Sequence, residues 1–288
     1  MSPKIRIRRR DLCFGAFCLA GVSLSASKQN VAPKDHDFRP LFDGKSLRGW
    51  KPQPRSLAQP SLGKWTVEDG VLTGGQEIPG LGAYLVTDEV FEDFELQIEA
   101  RPDWRVDTGI LVRAVAQGNV AIQVLLDHRP HGGIGGYYGN GLANFHAWEY
   151  GFTAETDKDG RLLRLIPEKP SEPVMQNFTV PLDFAAPADV FLKTWKLNDW
   201  NHFRIRCVGE LPYLTTWING VKISELDTAK IKSPGYDPQA VLRKIGRAGH
   251  IALEVHSNGP NDKLGVDRWA PGAVCRWRNI SIKNLGER

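Results

Sequence analysis

The chain has 288 residues, a length that suits one large domain or two small ones and needs no disulfide or metal to support its core. Its 29 glycines and 19 prolines predict many turns, but this content is well below that of a disordered or collagen-like chain. The formal net charge of +4 reflects the first ten residues, five of which are basic, so the rest is nearly neutral and no nucleic-acid partner is expected.

The N-terminus has the parts of an export signal. Basic residues end at Arg10, residues 12–24 are mostly apolar, and small residues that suit a cleavage site follow. The apolar run is too short for a stable membrane anchor. We therefore expect residues 1–27 to be a signal peptide, residues 28–38 to be a polar linker, and the protein to be exported to the periplasm or the extracellular space. The three arginines at 8–10 are compatible with the twin-arginine route, and an ordinary Sec signal is the alternative.

From residue 39 onward, apolar and polar residues alternate with the period of two that is typical of β-strands. The dipeptides Asp69-Gly70 and Asn219-Gly220 mark tight hairpin turns. Strands are predicted at 65–68, 71–73, 94–101, 109–114, 120–127, 201–208, 214–218, 221–224, 251–256 and 274–283, and a short helix at 238–245. Because no second domain is marked, residues 39–288 are predicted to form one all-β sandwich of two antiparallel sheets.

Two segments interrupt this pattern. Residues 128–150 contain six glycines, and residues 153–196 are rich in proline and have no clear strands. Long irregular segments in a compact sandwich usually form functional loops or lids.

In the same predicted domain, Cys207 and Cys275 could form a disulfide or remain as two buried thiols.

A series of short motifs resembles the 3-keto-disaccharide hydrolase family over about residues 39–286. Each motif is weak alone, but their common order is specific. In chain order they are Leu41-Phe-Asp-Gly-Lys-Ser-Leu-Arg-Gly-Trp50, Trp65-x-Val-x-Asp-Gly-Val-Leu, Asp93-Phe-Glu-Leu with Glu99, Gly109-Ile-Leu-Val-Arg113, Ile122-Gln-Val-Leu-Leu-Asp127, Asp199-Trp-Asn-His-Phe-Arg-Ile, Trp217-Ile-Asn-Gly-Val, Gly249-His-Ile-Ala-Leu and Trp277-Arg-Asn-Ile-Ser-Ile. The resemblance implies a concanavalin A-like jelly-roll sandwich and activity on glycosides whose sugar ring carries a ketone at C3.

Strand parity suggests where such a site would lie, because alternate side chains of a strand point to opposite faces. The polar positions Glu99, Arg113, Gln123, Glu254 and His256 each lie opposite apolar neighbours. We expect them to share the outer, concave surface of one sheet. The alternative for any one of them is an ordinary solvated cross-strand ion pair.

A ketone at C3 acidifies the C2 proton, so a base can remove it and the C1 substituent can then leave. We assign the base to Glu99 or His256, and the electrophile to Arg113 or to a divalent cation near Asp127 and His128. Glu254 would be an acid or a metal ligand.

Substrate-binding residues are expected on the same surface and on the loop above it. They are Gln123, Tyr137, Tyr138, His146 and Trp148. The expected partner is an oligosaccharide or glycoside. Two rival functions are a non-catalytic carbohydrate-binding module and a direct two-carboxylate glycosidase. The second is disfavoured because the string Glu-x-Asp-x-x-Glu does not occur in the sequence.

Overall fold

The computed structural model describes residues 37–57, 60–169, 179–258 and 268–286. The predicted signal peptide at 1–27 and nearly all of the predicted linker lie outside these ranges, so both stay predictions. In the described ranges, no helix is long and apolar enough to cross a membrane.

Short strands dominate the described chain, and two α-helices and a 3-10 helix accompany them. The elements are β1 Arg39–Pro40, β2 Trp50–Pro54, β3 Lys64–Glu68, β4 Val71–Gly75, β5 Ala83–Thr87, β6 Phe94–Pro102, β7 Gly109–Ala114, β8 Ala121–Leu126, β9 Ile134–Asn140, β10 His146–Ala147, β11 Gly151–Thr156, β12 Leu162–Glu168, β13 Phe184–Ala185, α1 Ala188–Thr194, β14 Asn201–Val208, β15 Tyr213–Ile218, β16 Val221–Asp227, the 3-10 helix Thr228–Lys230, α2 Pro238–Ile245, β17 His250–Val255 and β18 Cys275–Asn284.

These strands form two large antiparallel sheets and one separate hairpin. Among the described strands, the nine-stranded sheet has the order β13-β16-β15-β14-β6-β18-β4-β3, with β1 beside β18. The seven-stranded sheet has the order β10-β9-β8-β7-β17-β5-β2, and β11 pairs with β12. The prediction of an all-β, concanavalin A-like sandwich is confirmed.

The main core lies between the two sheets. The apolar positions of β6 point inward from the nine-stranded sheet, and those of β7, β8 and β17 point inward from the seven-stranded sheet. Period-two alternation gives this arrangement directly, since each strand supplies every second side chain to the core.

The two sheets differ on their outer faces. Strand β6 alternates between buried and half-buried residues along most of its length, so part of the outer face of the nine-stranded sheet is accessible. Strands β7 and β8 are buried at every position. A second, small apolar cluster that includes Tyr84, Leu111 and Ala252 lies on the outer face of the seven-stranded sheet. That face is therefore covered, as the nearly continuous apolar sequences of β7 and β8 indicate.

The interpretation of 128–150 and 153–196 as irregular loops is wrong in part. The first segment contains β9 and β10, and the second contains β12, β13, α1 and most of β11. Glycine conceals β9 in the sequence because it disfavours strands. It is needed there for close packing: a Cβ on Gly139 would lie 2.4 Å from the ring of Phe145.

Smaller predictions have clear outcomes. The tight turns at Asp69-Gly70 and Asn219-Gly220 are present with left-handed backbone angles, and α2 spans the predicted 238–245. Cys207 and Cys275 are both free and buried, so the disulfide alternative is wrong.

Candidate functional site

A cavity of about 200 Å³ opens on the covered, outer face of the seven-stranded sheet. Charged side chains line one part of it, and aromatic side chains from β9 and β10 line another. The lining residues are Arg55, Asp107, Gln123, Leu125, Asp127, Arg129, Tyr138, Asn140, His146, Trp148, Glu254, His256 and Arg268.

Glu254 of β17 is a buried carboxyl group at the centre of this face, with 1 % of its side chain exposed. Its Oε1 accepts a hydrogen bond from Arg55, and its Oε2 accepts one of 2.7 Å from Gln123 Nε2. Burial, and then the negative charge of Asp107, raise the pKa of Glu254 against the opposing charge of Arg55. A carboxyl group in this setting can exchange a proton nearer to neutral pH than an exposed glutamate can.

The bond from Gln123 to Glu254 depends on Gly109. Strand β7 lies between β8, which carries Gln123, and β17, which carries Glu254. A Cβ on Gly109 would lie 2.4 Å from Gln123 Nε2, so only glycine leaves room for the amide to cross the strand. The glycine in the sequence Asp-Thr-Gly is therefore part of the site's construction.

Asp107 connects three cationic or basic side chains. Its Oδ2 accepts a 2.6 Å hydrogen bond from Arg268 Nη1, and lies 3.6 Å from Arg129 Nε and 3.9 Å from His256 Nε2. Burial alone would raise its pKa, but His256, Arg268 and Arg129 together lower it well below the usual value. Asp107 is thus ionised at neutral pH. Arg129 Nε also lies 2.9 Å from Asp127 Oδ1 and so links the two carboxylates.

His256 follows β17, and its imidazole has a defined orientation. Nδ1 lies 2.6 Å from the carbonyl oxygen of Ser257, which can only accept, so Nδ1 carries the proton. Burial, followed by the charge of Arg55, lowers the pKa of His256 to about 3. At neutral pH the ring is therefore neutral, and Nε2 has a free lone pair on the side of Asp107. An imidazole in this state can act as a base.

Tyr138, His146 and Trp148 form what we call the aromatic wall. The ring centroid of His146 lies 4.6 Å from that of Tyr138 and 4.8 Å from that of Trp148. Burial lowers the pKa of His146 to about 4, so this imidazole is also neutral at neutral pH. The wall offers ring surfaces together with polar edges, a combination that suits sugars.

Glu99 is not part of this site, and its predicted place beside Glu254 is wrong. Strand β6 belongs to the nine-stranded sheet, where Glu99 points outward. It accepts hydrogen bonds of 2.6 Å from Arg278 Nε and 3.1 Å from Asn279 Nδ2. Parity correctly gave it an outer position, but parity cannot tell which of the two sheets a strand joins.

Arg113 is also wrongly placed by parity. It has a φ of 51°, and the register between β7 and β17 shifts there, so a β-bulge turns its side chain away from the outer face. The guanidinium is fully buried, with Nη2 3.0 Å from the carbonyl oxygen of Gly209 and 3.3 Å from Asp93 Oδ1. Arg113 is a structural residue at the far end of its strand.

Two further predicted residues belong to the interior instead. Tyr137 is fully buried, and its hydroxyl lies 3.0 Å from Thr216 Oγ1 and bonds the carbonyl oxygen of Ser224. It alternates with Tyr138, which does line the cavity, so its prediction as a substrate-binding residue is wrong. His128 donates from Nδ1 to the carbonyl oxygen of Asp103 and packs against Trp104 and Trp195.

The residues do not fit the divalent cation that we considered at Asp127 and His128. Asp127 lines the cavity and pairs with Arg129, whereas His128 packs among tryptophans and does not line it. Across the part of the chain that the structure describes, no three His, Cys, Asp or Glu side chains converge as a metal site would require. We therefore derive no chemical step through a metal.

The structure thus brings together Gln123, Asp127, Tyr138, His146, Trp148, Glu254 and His256 from the predicted set. Sequence reasoning missed Arg55, Asp107, Arg129, Asn140 and Arg268. Asp107 and Arg129 had a usable signal, because they flank the ends of the continuous apolar strands β7 and β8. Arg55 and Arg268 come from segments with no strand pattern around them, so only the fold identifies them.

A family model described as "3-keto-alpha-glucoside-1,2-lyase-like domain" matches residues 37–283. No match was found among curated proteins. Two solved structures from Parabacteroides distasonis, each titled a "putative glycosyl hydrolase", are similar. The first is 17 % identical in sequence; the matched region spans 87 % of this chain and 94 % of that structure's chain, with a TM-score of 0.46. The second has 20 % identity, covers 87 % and 100 %, and has a TM-score of 0.44. A carbohydrate-binding module, CBM66 from Bacillus subtilis, has 8 % identity, covers 82 % and 96 %, and has a TM-score of 0.40.

Proposed function

Because the chain belongs to the 3-keto-α-glucoside-1,2-lyase-like family, we propose that it cleaves the glycosidic bond of sugars oxidised at C3, by elimination followed by addition of water. One observation carries the proposal. The cavity holds a neutral imidazole, His256, and a buried carboxyl group with a raised pKa, Glu254, next to arginines that can stabilise an enolate.

In the first step, His256 Nε2 takes the proton from C2. The electron pair of the C2–H bond forms the C2=C3 double bond, and the ketone oxygen becomes an enolate. Asp107 Oδ2, 3.9 Å from Nε2, stabilises the imidazolium that forms. The low pKa of the resting imidazole keeps Nε2 unprotonated throughout the neutral range, and the negative charge of Asp107 offsets part of the basicity that burial removes.

Positive charge is available for the enolate. Arg55 and Arg268 both line the cavity, and each is held in place by a carboxylate partner, Glu254 and Asp107 respectively. Donors that are already oriented stabilise a developing negative charge without a cost in reorganisation. These two guanidinium groups supply the electrophile, the role that we first considered for Arg113.

In the second step, the enolate collapses to the ketone, the C1=C2 double bond forms and the C1–O bond breaks. The departing oxygen takes a proton, which the protonated form of Glu254 can donate because burial raises the pKa of this carboxyl group. Water then adds its hydroxyl to C1 while C2 regains a proton, so the net result is hydrolysis.

The direct test follows proton exchange and bond cleavage separately. Wild-type protein and a His256→Gln variant are incubated in D₂O with a 3-keto-glucoside and with the same glucoside unoxidised. We expect the wild type to place deuterium at C2 and to release the leaving group from the oxidised substrate only. The variant should lose both activities by roughly 10²- to 10⁴-fold, the usual contribution of a general base.

Two outcomes would contradict the proposal. Binding of either glycoside without exchange or product would favour the carbohydrate-binding module instead. Cleavage of the unoxidised glucoside at an equal rate would point to direct glycoside hydrolysis, which needs no acidic C2 proton.

A further inference from the structure

The aromatic wall carries two polar atoms that the mechanism above does not use. His146 is 6 % exposed and Trp148 is 9 % exposed, and both line the cavity. Within the residues that the structure describes, His146 Nδ1 and Trp148 Nε1 have no hydrogen-bond partner. A buried polar atom without a partner is costly, so a ligand that brought hydrogen-bond partners to these two atoms would gain binding free energy.

The wall and the charged half line the same cavity from different strands. In the sheet order, Glu254 on β17 is four strands away from His146 on β10. Neighbouring strands are about 4.8 Å apart, so the two backbones are separated by roughly 19 Å along the sheet. Because the side chains of both regions face one cavity, a sugar ring over Glu254 and His256 has the aromatic wall beside it, where a neighbouring part of the substrate can pack.

Tyr138 stands between these two regions and shows which surface is available. It lies opposite Gln123 on one side and opposite His146 on the other. Its hydroxyl donates to Asn144 Oδ1 at 3.1 Å, so this polar end is already engaged. Its ring packs against His146 and lines the cavity.

We propose that the aromatic wall is the leaving-group subsite and that it selects a hydroxyl-bearing sugar over an aryl group. The inference rests on the proposed function, since a leaving group exists only if the glycosidic bond is cleaved. His146 Nδ1 and Trp148 Nε1 bond hydroxyl groups of the leaving sugar, and the ring of Tyr138 packs against its apolar face. An aryl group would fill the same space but would leave both polar atoms unpaired, which is the basis of the selection.

The experiment compares two substrates that share the oxidised ring, a 3-keto-disaccharide and a 3-keto-nitrophenyl glucoside. In His146→Phe, a ring still packs between Tyr138 and Trp148 but has no nitrogen. We expect kcat/KM for the disaccharide to fall by about tenfold, the effect of one lost hydrogen bond in a buried site. The value for the nitrophenyl substrate should stay within about twofold. His146→Asn, which places an amide nitrogen near the position of Nδ1, should restore part of the preference.

Deuterium incorporation at C2 separates this inference from the proposed function. If the wild type shows neither exchange nor cleavage on either substrate, the proposed function fails. If the wild type is active but His146→Phe lowers kcat/KM equally for both substrates, or for neither, the leaving-group subsite is overturned while the proposed function stands.

Discussion

Two glutamates in similar strands, Glu99 and Glu254, lie on the outer faces of opposite sheets and have opposite properties. Glu99 has 21 % of its side chain exposed. Burial alone would raise its pKa, but hydrogen bonds from Arg278 and Asn279 lower it. Glu254 has 1 % of its side chain exposed, and burial, which outweighs its pairing with Arg55, raises its pKa. Each glutamate has an arginine partner, so pairing does not distinguish them. They differ because the outer face of the seven-stranded sheet is buried around Glu254, whereas that of the nine-stranded sheet is partly accessible around Glu99.

The amino-acid sequences of the strands partly indicate this difference. In β6, Phe-Glu-Leu-Gln-Ile-Glu-Ala alternates, which is typical of a strand with one accessible face. In β8, Ala-Ile-Gln-Val-Leu-Leu is apolar apart from Gln123, and in β17 Glu254 interrupts a similar run. A lone polar residue in a strand that is buried on both faces is therefore a better indicator of a site than a polar residue in an alternating strand.

The largest expected effect tests this contrast in activity. Glu254→Gln should lower cleavage of a 3-keto-glucoside by roughly 10²- to 10⁴-fold, because an amide cannot exchange the proton. Glu99→Gln should retain nearly full activity, since its carboxylate faces away from the cavity. Steady-state rates measured on both variants check the prediction.

Glu95→Gln is the matched control for stability. Glu95 forms a buried pair with Arg204 on the other sheet, as Glu254 does with Arg55. Breaking either pair should cost about 3–5 kcal/mol in the free energy of unfolding. If Glu95→Gln lost as much activity as Glu254→Gln, the loss would reflect folding, and the assignment of Glu254 would fail.

Three buried histidines on the side of the seven-stranded sheet make the stability of the protein depend on pH. Burial lowers the pKa of His128 to about 4, that of His146 to about 4 and that of His256 to about 3. Unfolded histidine has a pKa of about 6.5, so below that pH the unfolded chain binds more protons than the folded one. Stability that is fully present above about pH 6.5 is therefore lost as the pH falls towards 4, by roughly 3 kcal/mol for His128 alone.

Denaturant unfolding between pH 7 and pH 4 measures this loss. His128→Phe keeps an aromatic ring between Trp104 and Trp195 but cannot bind a proton, so its stability should fall less steeply with acid. An unchanged slope in this variant would show that His128 is not buried as a neutral ring.

The smallest expected effect concerns the glycine that lets Gln123 reach Glu254. Gly109→Ala should cost about 1–3 kcal/mol in unfolding free energy, because the new methyl group overlaps with the Gln123 amide. In a Gln123→Ala background the same change should cost much less. Equal costs in both backgrounds, measured by denaturant unfolding, would mean that the two side chains do not meet.

Much of the fold follows from local sequence. Alternation predicted β6, β14 and β17, the Asp-Gly and Asn-Gly turns predicted two hairpins, and α2 was predicted at its observed bounds. These features depend on neighbours in the chain, which the sequence displays directly. Strand β9 was hidden because its glycines serve distant partners such as Phe145.

The sequence by itself determined which side chains alternate to the outside of their strands, and so it identified Gln123, Glu254 and His256. Only the tertiary structure decided that Glu99 belongs to the other sheet, that a bulge turns Arg113 inward, and that Asp107 and Arg268 meet at His256. The physical reason is that parity is set by the local backbone, whereas sheet membership, a change of register and the meeting of distant loops depend on strand pairing between remote segments.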